Sequence, residues 1–250
     1  MKRIIFSYLA VAVITVSAIL TSCDVDNSEK VKLLKTIKNI HYDVAYDKYE
    51  YDSQNRITKL LWYDDDGKLW GSKTFTYDGA DLVKVIIVKS YTNISTEEFT
   101  RNGDVITIKC SYLYGTPSLH LNSDGLPDRQ EVIMEDYYYL DTYDYQNGNL
   151  VKYTHKFCQK IDDDDFVIIA EDNTNYKYDD KKSPFYNCNS PKWYMIWNFD
   201  WYGIHNNVIE KDDITFKYGY DVDGFPTKCT ITNNYGETSV IEFNYTNAVN

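Results

Sequence analysis

Apolar and polar residues alternate with a period of two along much of this chain. The clearest stretches are ITFKYGY at 214–220 and IEFNY at 241–245. Alternation of this kind predicts β-strands with one apolar face and one wet face. The stretch LVKVIIV at 82–88 is apolar in both phases, which predicts a strand covered on both sides.

A recurring turn phrase separates the alternating stretches. It consists of aromatic residues at alternate positions, then Tyr-Asp or an equivalent pair, a turn with Gly or Asn, and an apolar residue that opens the next strand. Asp, Asn and Gly supply the side-chain hydrogen bonds and the positive φ that a tight reversal needs. Copies lie at 49–57, 75–82, 99–105, 119–127, 143–150, 176–179 and 218–226.

Each phrase reads as a β-hairpin, and sequential hairpins with short turns place neighbouring strands antiparallel. The chain has 25 Tyr but only 11 Gly and 5 Pro in 250 residues, a balance typical of strands. We therefore predict an all-β fold, an antiparallel meander curled into an open or half-closed barrel, with one short helix around 191–202.

The first 22 residues differ from everything that follows. Lys2 and Arg3 precede an apolar run that ends in Leu-Thr-Ser before Cys23. A basic start, an apolar run and small residues at the cut are typical of a secretory signal peptide. The alternative, a transmembrane helix, is disfavoured because the run is slightly short and no basic stop follows it.

This layout is that of a bacterial lipoprotein, in which Cys23 becomes the first mature residue and carries the lipid. We predict a signal peptide at 1–22, a tether at 23–32 and a single β-meander domain at 33–250. Lipid on Cys23 would place the protein at the outer membrane, on its periplasmic or cell-surface face. The membrane lipid is then the first expected partner.

The charge of the chain excludes one class of function. Its formal net charge is −12, which becomes about −14 once the two basic residues of the leader are removed. Nucleic-acid binding needs clustered Lys and Arg to displace counterions. The sequence has no such cluster, so we predict no nucleic-acid partner.

Four cysteines remain after Cys23, an even number in a protein expected outside the cytoplasm. Two interpretations stay open. Disulfides would allow three pairings, among which spacing cannot choose. Alternatively, Cys110 and Cys229 are small buried hydrophobic residues, because both fall in the inward phase of an alternating stretch. The other two are Cys158 and Cys188.

The stretch SPKWYMIWNFDWYG at 190–203 breaks the strand pattern. Ser190 can cap a helix, Pro191 fits its first turn and Gly203 fits its end. The expected helix plugs the curled sheet and buries its tryptophans in the core. A strand would also place the tryptophans on one side, but the end signals favour the helix. Alternatives to the plug are a stacking platform for sugar rings and an anchor at a membrane interface. For the platform, the candidate ligand contacts are Trp193, Trp197 and Trp201.

No recognisable catalytic or metal motif is present in the sequence. The four histidines are scattered, and His155 and Cys158 would face opposite sides of a strand. The acid run at 162–165 is interpreted as a solvated hairpin tip instead of a calcium site. The stretch from Asp221 resembles the start of a calcium loop but has Thr232 at the twelfth position. We predict no catalytic residue, no metal and no cofactor.

The turn phrases resemble the Tyr-Asp repeats of Rhs-type proteins. The ordered set at 178–185, 206–209 and 220–228 (YDDKKSPF, NNVI and YDVDGFPTK) resembles a family of Bacteroidota-type lipoproteins of unknown function with a porin-like fold. This resemblance covers about residues 34–245. It implies an antiparallel sheet rolled into a barrel, and it implies no catalytic residues.

The sequence thus favours a lipid-anchored envelope protein that binds a glycan or an envelope protein, or has a structural role, and is not an enzyme. Surplus Tyr and Trp suit recognition of either partner. The alternative is a secreted glycan-active hydrolase that uses paired carboxylates. A third hypothesis is a subunit presented to an outer-membrane partner, and a broad exposed apolar patch would be its sign.

Overall fold

The computed structural model describes residues 31–39, 44–89, 93–111, 115–161, 165–199 and 203–248. In these ranges the chain forms sixteen β-strands and one α-helix. The strands are β1 Lys32–Asn39, β2 Val44–Tyr51, β3 Ile57–Asp64, β4 Leu69–Asp78, β5 Asp81–Lys89, β6 Asn93–Asn102, β7 Val105–Cys110, β8 Ser118–Leu121, β9 Pro127–Ile133, β10 Tyr137–Gln146, β11 Asn149–Lys160, β12 Phe166–Lys182, β13 Asn206–Lys211, β14 Ile214–Tyr220, β15 Pro226–Thr232 and β16 Thr238–Asn247. The helix is α1, Lys192–Phe199.

Every strand pairs antiparallel with its neighbours in sequence, and β1 pairs with β16. The predicted all-β antiparallel meander with one short helix is therefore confirmed. The sheet closes on itself, however, so the expected open or half-closed barrel is corrected to a closed barrel. The reason is a long-range ladder that runs from Lys32 opposite Asn247 to Asn39 opposite Ile241. Pairing of this kind satisfies the backbone groups that an open sheet would leave at its edges.

The barrel has two different ends. The plug end holds the start of β1, the end of β16, the turns at 52–56, 79–80, 103–104, 122–126, 147–148 and 221–225, and the segment 183–205. The distal end holds the turns at 65–68, 134–136, 212–213 and 233–237. All complete copies of the predicted turn phrase fall at the plug end, because each phrase closes one hairpin of the meander.

The Asp or Asn of the turn phrase caps its own turn. Asp52 Oδ1 accepts hydrogen bonds of 2.9 Å from the backbone N–H of Gln54 and of Arg56. Asn122 and Asp221 accept from the residues two and four positions later in the same way. These bonds replace backbone partners that a reversal removes, so the turn is specified locally.

The tyrosine of the phrase reaches a neighbouring strand. Tyr51 Oη donates to the carbonyl of Leu34 at 2.7 Å, and Tyr77 Oη donates to that of Ile57 at 2.7 Å. Each ring packs in the core while its hydroxyl bonds a carbonyl, which suits an aromatic residue with one polar tip. This double use explains part of the high tyrosine content.

Most apolar side chains point into the barrel, and most polar side chains point out. Inward positions form one contiguous core. Outward positions carry ion pairs between strands, such as Lys84 with Glu98 at 2.9 Å and Lys177 with Glu210 at 2.7 Å. Barrels whose walls face lipid have the reverse arrangement, with apolar residues outside and polar residues inside. The wall of this barrel is therefore built to face water.

Strand β5 shows one departure from the sequence-based expectation. Its inward residues Leu82, Val85 and Ile87 are buried, but the outward Ile86 and Val88 are only partly buried. The predicted cover on both sides is wrong. The outward residues are shielded by cross-strand neighbours on the same face, Thr74 beside Ile86 and Ile94 beside Val88.

Candidate ligand-binding site

Helix α1 lies inside the barrel and plugs one end of it. Tyr194 is buried and meets Phe75 and Phe99 edge to face, with ring centroids 5.6 and 5.7 Å apart. Phe199 packs on Phe185, which in turn packs on Tyr49. Aromatic contacts of this geometry add about 1 kcal/mol each beyond the area that they bury. The helix is thus an integral part of the core.

The plug segment is fastened to the barrel at its base. Ser183 Oγ donates to the carbonyl of Ile204 at 2.6 Å, which closes the excursion where it leaves and rejoins the wall. The hydroxyl of Ser190 accepts a hydrogen bond of 2.9 Å from the backbone N–H of Ile57 on β3. The sequence predicted Ser190 as a helix cap and did not predict this contact with the sheet. Gly203 has a φ of +69°, and a Cβ there would lie 2.1 Å from the carbonyl oxygen of Asn206.

Two of the three tryptophans predicted as ligand contacts, Trp193 and Trp197, lie within the described residues, and both pack on Phe99. Trp193 is 3% exposed and stacks edge to face on Phe99, with centroids 5.2 Å apart. Trp197 is partly buried against the same core. Trp201 lies outside the described residues, as does Cys23. Trp193 therefore belongs to the core of the plug and does not form an exposed platform.

Charged groups gather in the lumen against the helix. Glu97 is 1% exposed, and the hydroxyl of Tyr194 donates to its Oε2 at 3.2 Å. Lys73 Nζ donates to Asn198 Oδ1 at 3.0 Å. Burial lowers the pKa of Lys73, and the nearby charge of Glu97 opposes this effect. Asn198 Nδ2 is buried and has no hydrogen-bond partner within the described part of the chain.

Asp47 is a third charged group on the inner wall. It lies between Ile37 on β1 and Trp62 on β3, its direct cross-strand neighbours. Burial between these apolar side chains raises the pKa of Asp47 to about 7. The carboxyl group can thus change its protonation state near neutral pH.

A hydrogen-bonded row lies on the inner wall formed by β9, β10 and β11. Asp141 is buried, and its Oδ1 lies 2.6 Å from His155 Nδ1. Its Oδ2 accepts from Gln130 Nε2 at 3.1 Å. A carboxylate oxygen accepts, so Nδ1 of His155 donates and Nε2 is left for a second polar contact. Gln130 Oε1 is buried without a hydrogen-bond partner among the described residues.

A stack of aromatic rings continues this row toward the distal end. His155 stacks on Tyr139 with centroids 5.8 Å apart, Tyr139 on Phe157 at 4.9 Å, and Phe157 on Tyr137 at 5.1 Å. All four residues share the face of the buried Tyr143, and all are partly exposed. Partly exposed rings beside a row of polar groups form a surface that suits a ligand with apolar and hydroxyl faces.

A cavity with a volume of about 240 Å³ opens at the plug end. Buried side chains of Trp193 and Phe99 form its floor, and Arg101 and Asp81 lie at its edge. Arg101 Nη1 and Asp81 Oδ1 are 3.2 Å apart. This ion pair is exposed to water, so it adds little to stability.

Sequence reasoning did not identify the lumen residues, although a signal for them exists. Lys73 shares the inward phase of Phe75, Glu97 that of Phe99, and Asp141 that of Tyr143. A charged residue in the apolar phase of a strand is an exception to binary patterning. These exceptions mark the wall positions whose side chains point into the lumen.

The other predicted features are placed as follows. The structure forms no disulfide among the described residues, and the sulfur atoms of Cys110, Cys158, Cys188 and Cys229 are all thiols. Cys158 lies on the outer face, opposite to His155, as expected. Asp221 is a turn cap that also pairs with Lys32 at 2.8 Å. Of the acid run, positions 162–164 lie outside the described residues.

Similarity to known proteins is confined to solved structures. No protein-family model and no curated protein matches the chain. It is similar to a porin-like protein from Bacteroides uniformis ATCC 8492, with 14% identity, 87% of this chain and 96% of that chain covered, and a TM-score of 0.47. A porin-like protein from Bacteroides vulgatus ATCC 8482 has 13% identity, coverage of 86% and 99%, and a TM-score of 0.41. Similarity at this level carries no conclusion about ligand or activity.

Within the described ranges, no helix has the length and apolar character of a membrane span.

Proposed function

We propose that this protein is a lipid-anchored component of a bacterial cell envelope that binds carbohydrate on the inner wall of its barrel. The leader and Cys23 support the anchor, and the polar outer wall supports a barrel that stands in water beside the membrane. The role is binding and not catalysis. The outer membrane is the proposed location.

The observation that carries the binding role is the row Gln130, Asp141, His155 with its adjoining aromatic stack. Sugar rings have a C–H face that packs on aromatic side chains and hydroxyl groups that need several polar partners. The unpartnered Gln130 Oε1 can accept a hydroxyl proton, and His155 Nε2 offers a second polar contact to a hydroxyl group. Neutral sugars supply both kinds of contact.

The chain enters the barrel at the plug end, so a tether at the start of the chain would hold that end of the barrel. Lys32, the first residue of β1, is nine residues after Cys23. An extended link of this length spans about 30 Å at most. A lipid on Cys23 would therefore keep the plug end near the bilayer, and ligand would approach the aromatic stack from the distal end.

The anchor is tested by metabolic labelling with a clickable fatty acid in a Gram-negative host. We expect label on the wild-type chain and its recovery in the outer-membrane fraction. Cys23→Ser should carry no label, and Cys188→Ser is the matched cysteine control. Labelling that persists in Cys23→Ser would contradict the anchor.

Carbohydrate binding is tested on a glycan array with the chain 24–250, which contains the compact unit Val31–Asn250. Gln130→Leu and Tyr139→Ala should each weaken binding about tenfold, since each removes a polar or stacking contact. Tyr235→Ala, an exposed residue of a distal turn, is the control. No glycan bound by the wild-type chain would overturn the proposal.

A glycan-active hydrolase is the second candidate, and the raised pKa of Asp47 is the observation that favours it. A general acid must hold its proton near neutral pH, as Asp47 does at about 7. Release of reducing ends from a bound glycan, lost in Asp47→Asn, would establish this alternative. Binding without any release would leave the binding role alone.

A further inference from the structure

Strand β12 extends beyond the barrel wall at the distal end. It pairs with β11 from Phe166 opposite Lys160 onward. Its ladder with β13 begins only at Tyr176, opposite Lys211. Residues 166–174 therefore have a strand on one side, and among the described residues no strand lies on the other. Such an edge presents unpaired N–H and C=O groups at alternate positions.

The first five residues of the free part of β12, 166–170, are apolar and exposed to water. Val167, Ile168 and Ile169 are each 51% exposed, and Phe166 is 37% exposed. Large apolar residues of a neighbouring strand and turn extend the surface: Ile133 and Ile161 are also exposed. Six of the fourteen exposed large hydrophobic residues in the described chain thus lie at this one place. A cluster of this kind marks an interaction surface.

Natural sheets protect such edges with inward charges, prolines or bulges. The run 166–170, FVIIA, contains neither charge nor proline. One bulge is present where Phe157 faces Ala170 and Cys158 faces Ile168, but the run continues past it. A short segment with high β-propensity and no charge is one that readily accepts another strand.

The charges around the run select the kind of strand. Asp165 lies just before β12, and Glu171 and Asp172 follow the run. The basic residues nearby, Lys156 and Lys160, lie on β11, the side away from the free edge. Lys156 is already 3.6 Å from Glu171. The edge therefore offers an apolar middle with an acidic residue at each end.

A second copy of this chain does not match that charge pattern. If two runs paired antiparallel with their apolar residues opposite each other, centred on Ile168, then Asp165 of each would face Glu171 of the other. Like charges directly opposite in a ladder destabilise it. A strand with basic ends would instead gain two favourable pairs.

We propose that residues 166–174 of β12 form a docking edge for an extended segment of another protein, apolar in its middle and flanked by Lys or Arg. The partner strand adds to the sheet beside β12, its backbone bonds the unpaired groups, and its basic ends meet Asp165 and Glu171. This function is separate from carbohydrate binding on the inner wall. It fits the hypothesis of a subunit presented to a partner.

The test uses the full chain in detergent and a fluorescent peptide, Lys-Lys-Val-Thr-Val-Thr-Val-Lys-Lys, followed by anisotropy. A second peptide with Glu in place of each Lys tests the charge requirement. Val167→Lys places a charge on the edge, and Val222→Lys, at a fully exposed turn residue, is the matched control. Because Val167 is exposed, circular dichroism should show that the fold of Val167→Lys is unchanged.

We expect the basic peptide to bind at least tenfold more tightly than the acidic one, and to slow amide exchange of residues 166–174. Val167→Lys should lose this binding at least tenfold, whereas Val222→Lys should retain it. Absence of binding, equal binding of both peptides, or protection elsewhere would overturn the proposal. A wild-type dimer in sedimentation experiments that is absent in Val167→Lys would also overturn it, because a second copy of this chain would then occupy the edge.

Discussion

The ionisable group with the largest expected effect on stability near neutral pH is Asp47. Its cross-strand neighbours are Ile37 and Trp62, and burial raises its pKa from 3.8 to about 7. In the unfolded chain the carboxyl group is ionised above about pH 4. The folded state therefore binds one proton more than the unfolded state between about pH 4 and pH 7, and stability falls as pH rises through this window.

The cost follows from the difference in pKa, which is about 3. At about 1.4 kcal/mol for each tenfold change, the full penalty above pH 7 is about 4 kcal/mol. Local relaxation around a partly buried side chain reduces it, so we expect about 1–3 kcal/mol. Asp47→Asn has nearly the same shape and no charge. It should be more stable than the wild-type chain by this amount at pH 8 and by little at pH 4.

The assay is urea denaturation followed by tryptophan fluorescence, at pH 4, 6 and 8. Asp124→Asn, in the exposed turn at 122–126, is the matched control and should change stability by less than about 0.5 kcal/mol at every pH. A gain for Asp47→Asn that is equal at pH 4 and pH 8 would refute the reasoning. So would a loss of stability at pH 8, because the carboxylate would then have a stabilising partner.

Three further changes, with Gly236→Ala as a control for one of them, test the packing of the plug and wall by the same denaturation assay. Trp193→Ala should cost about 3–5 kcal/mol, because it leaves a cavity in the core under Phe99. Gly203→Ala should cost more than about 2 kcal/mol, since its Cβ meets a backbone oxygen. Gly236→Ala, with positive φ but open space, should cost only about 1 kcal/mol. Tyr77→Phe should cost about 1 kcal/mol, as it removes a 2.7 Å hydrogen bond to a backbone carbonyl.

Local features of the sequence were sufficient to predict the strands and their antiparallel order. The alternation in β14 and β16 defines which side chains point inward, and the Asp52, Asn122 and Asp221 turns form their own caps. Both signals act over a few residues, so they can be recognised in the sequence without knowledge of the rest of the chain.

Closure of the barrel depends on residues that are far apart in sequence. The ladder of β1 and β16 joins Lys32 to Asn247, and neither strand carries a local mark that distinguishes this partner from any other. The helix end signals were similarly incomplete. Ser190 was predicted as a cap, but its hydroxyl is used by the backbone of Ile57, 133 positions earlier. Long-range contacts of this kind compete with local propensity.

The same limit applies to the inner wall. Lys73, Glu97 and Asp141 can each be recognised as a charged residue in an apolar phase, but the partners of Lys73 and Glu97 depend on where α1 is inserted. The helix supplies Tyr194 and Asn198, which bond Glu97 and Lys73. The register of β4, β5 and β6 brings Lys73 close to Glu97, and the helix supplies their hydrogen-bond partners. The site is therefore a product of the tertiary fold.

In the distal part of β12, the sequence pattern reflects what the fold leaves exposed. The segment 166–173 lacks alternation because neither of its faces is buried, and a strand that covers no core has no need of an apolar and a wet side. A solvated strand would ordinarily be polar throughout, yet five consecutive residues here are apolar. Exposing them to water costs free energy that contacts within the described chain, such as that of Phe166 with Tyr138, return only in part. A partner strand would recover that free energy, and it would also satisfy the backbone groups along the edge.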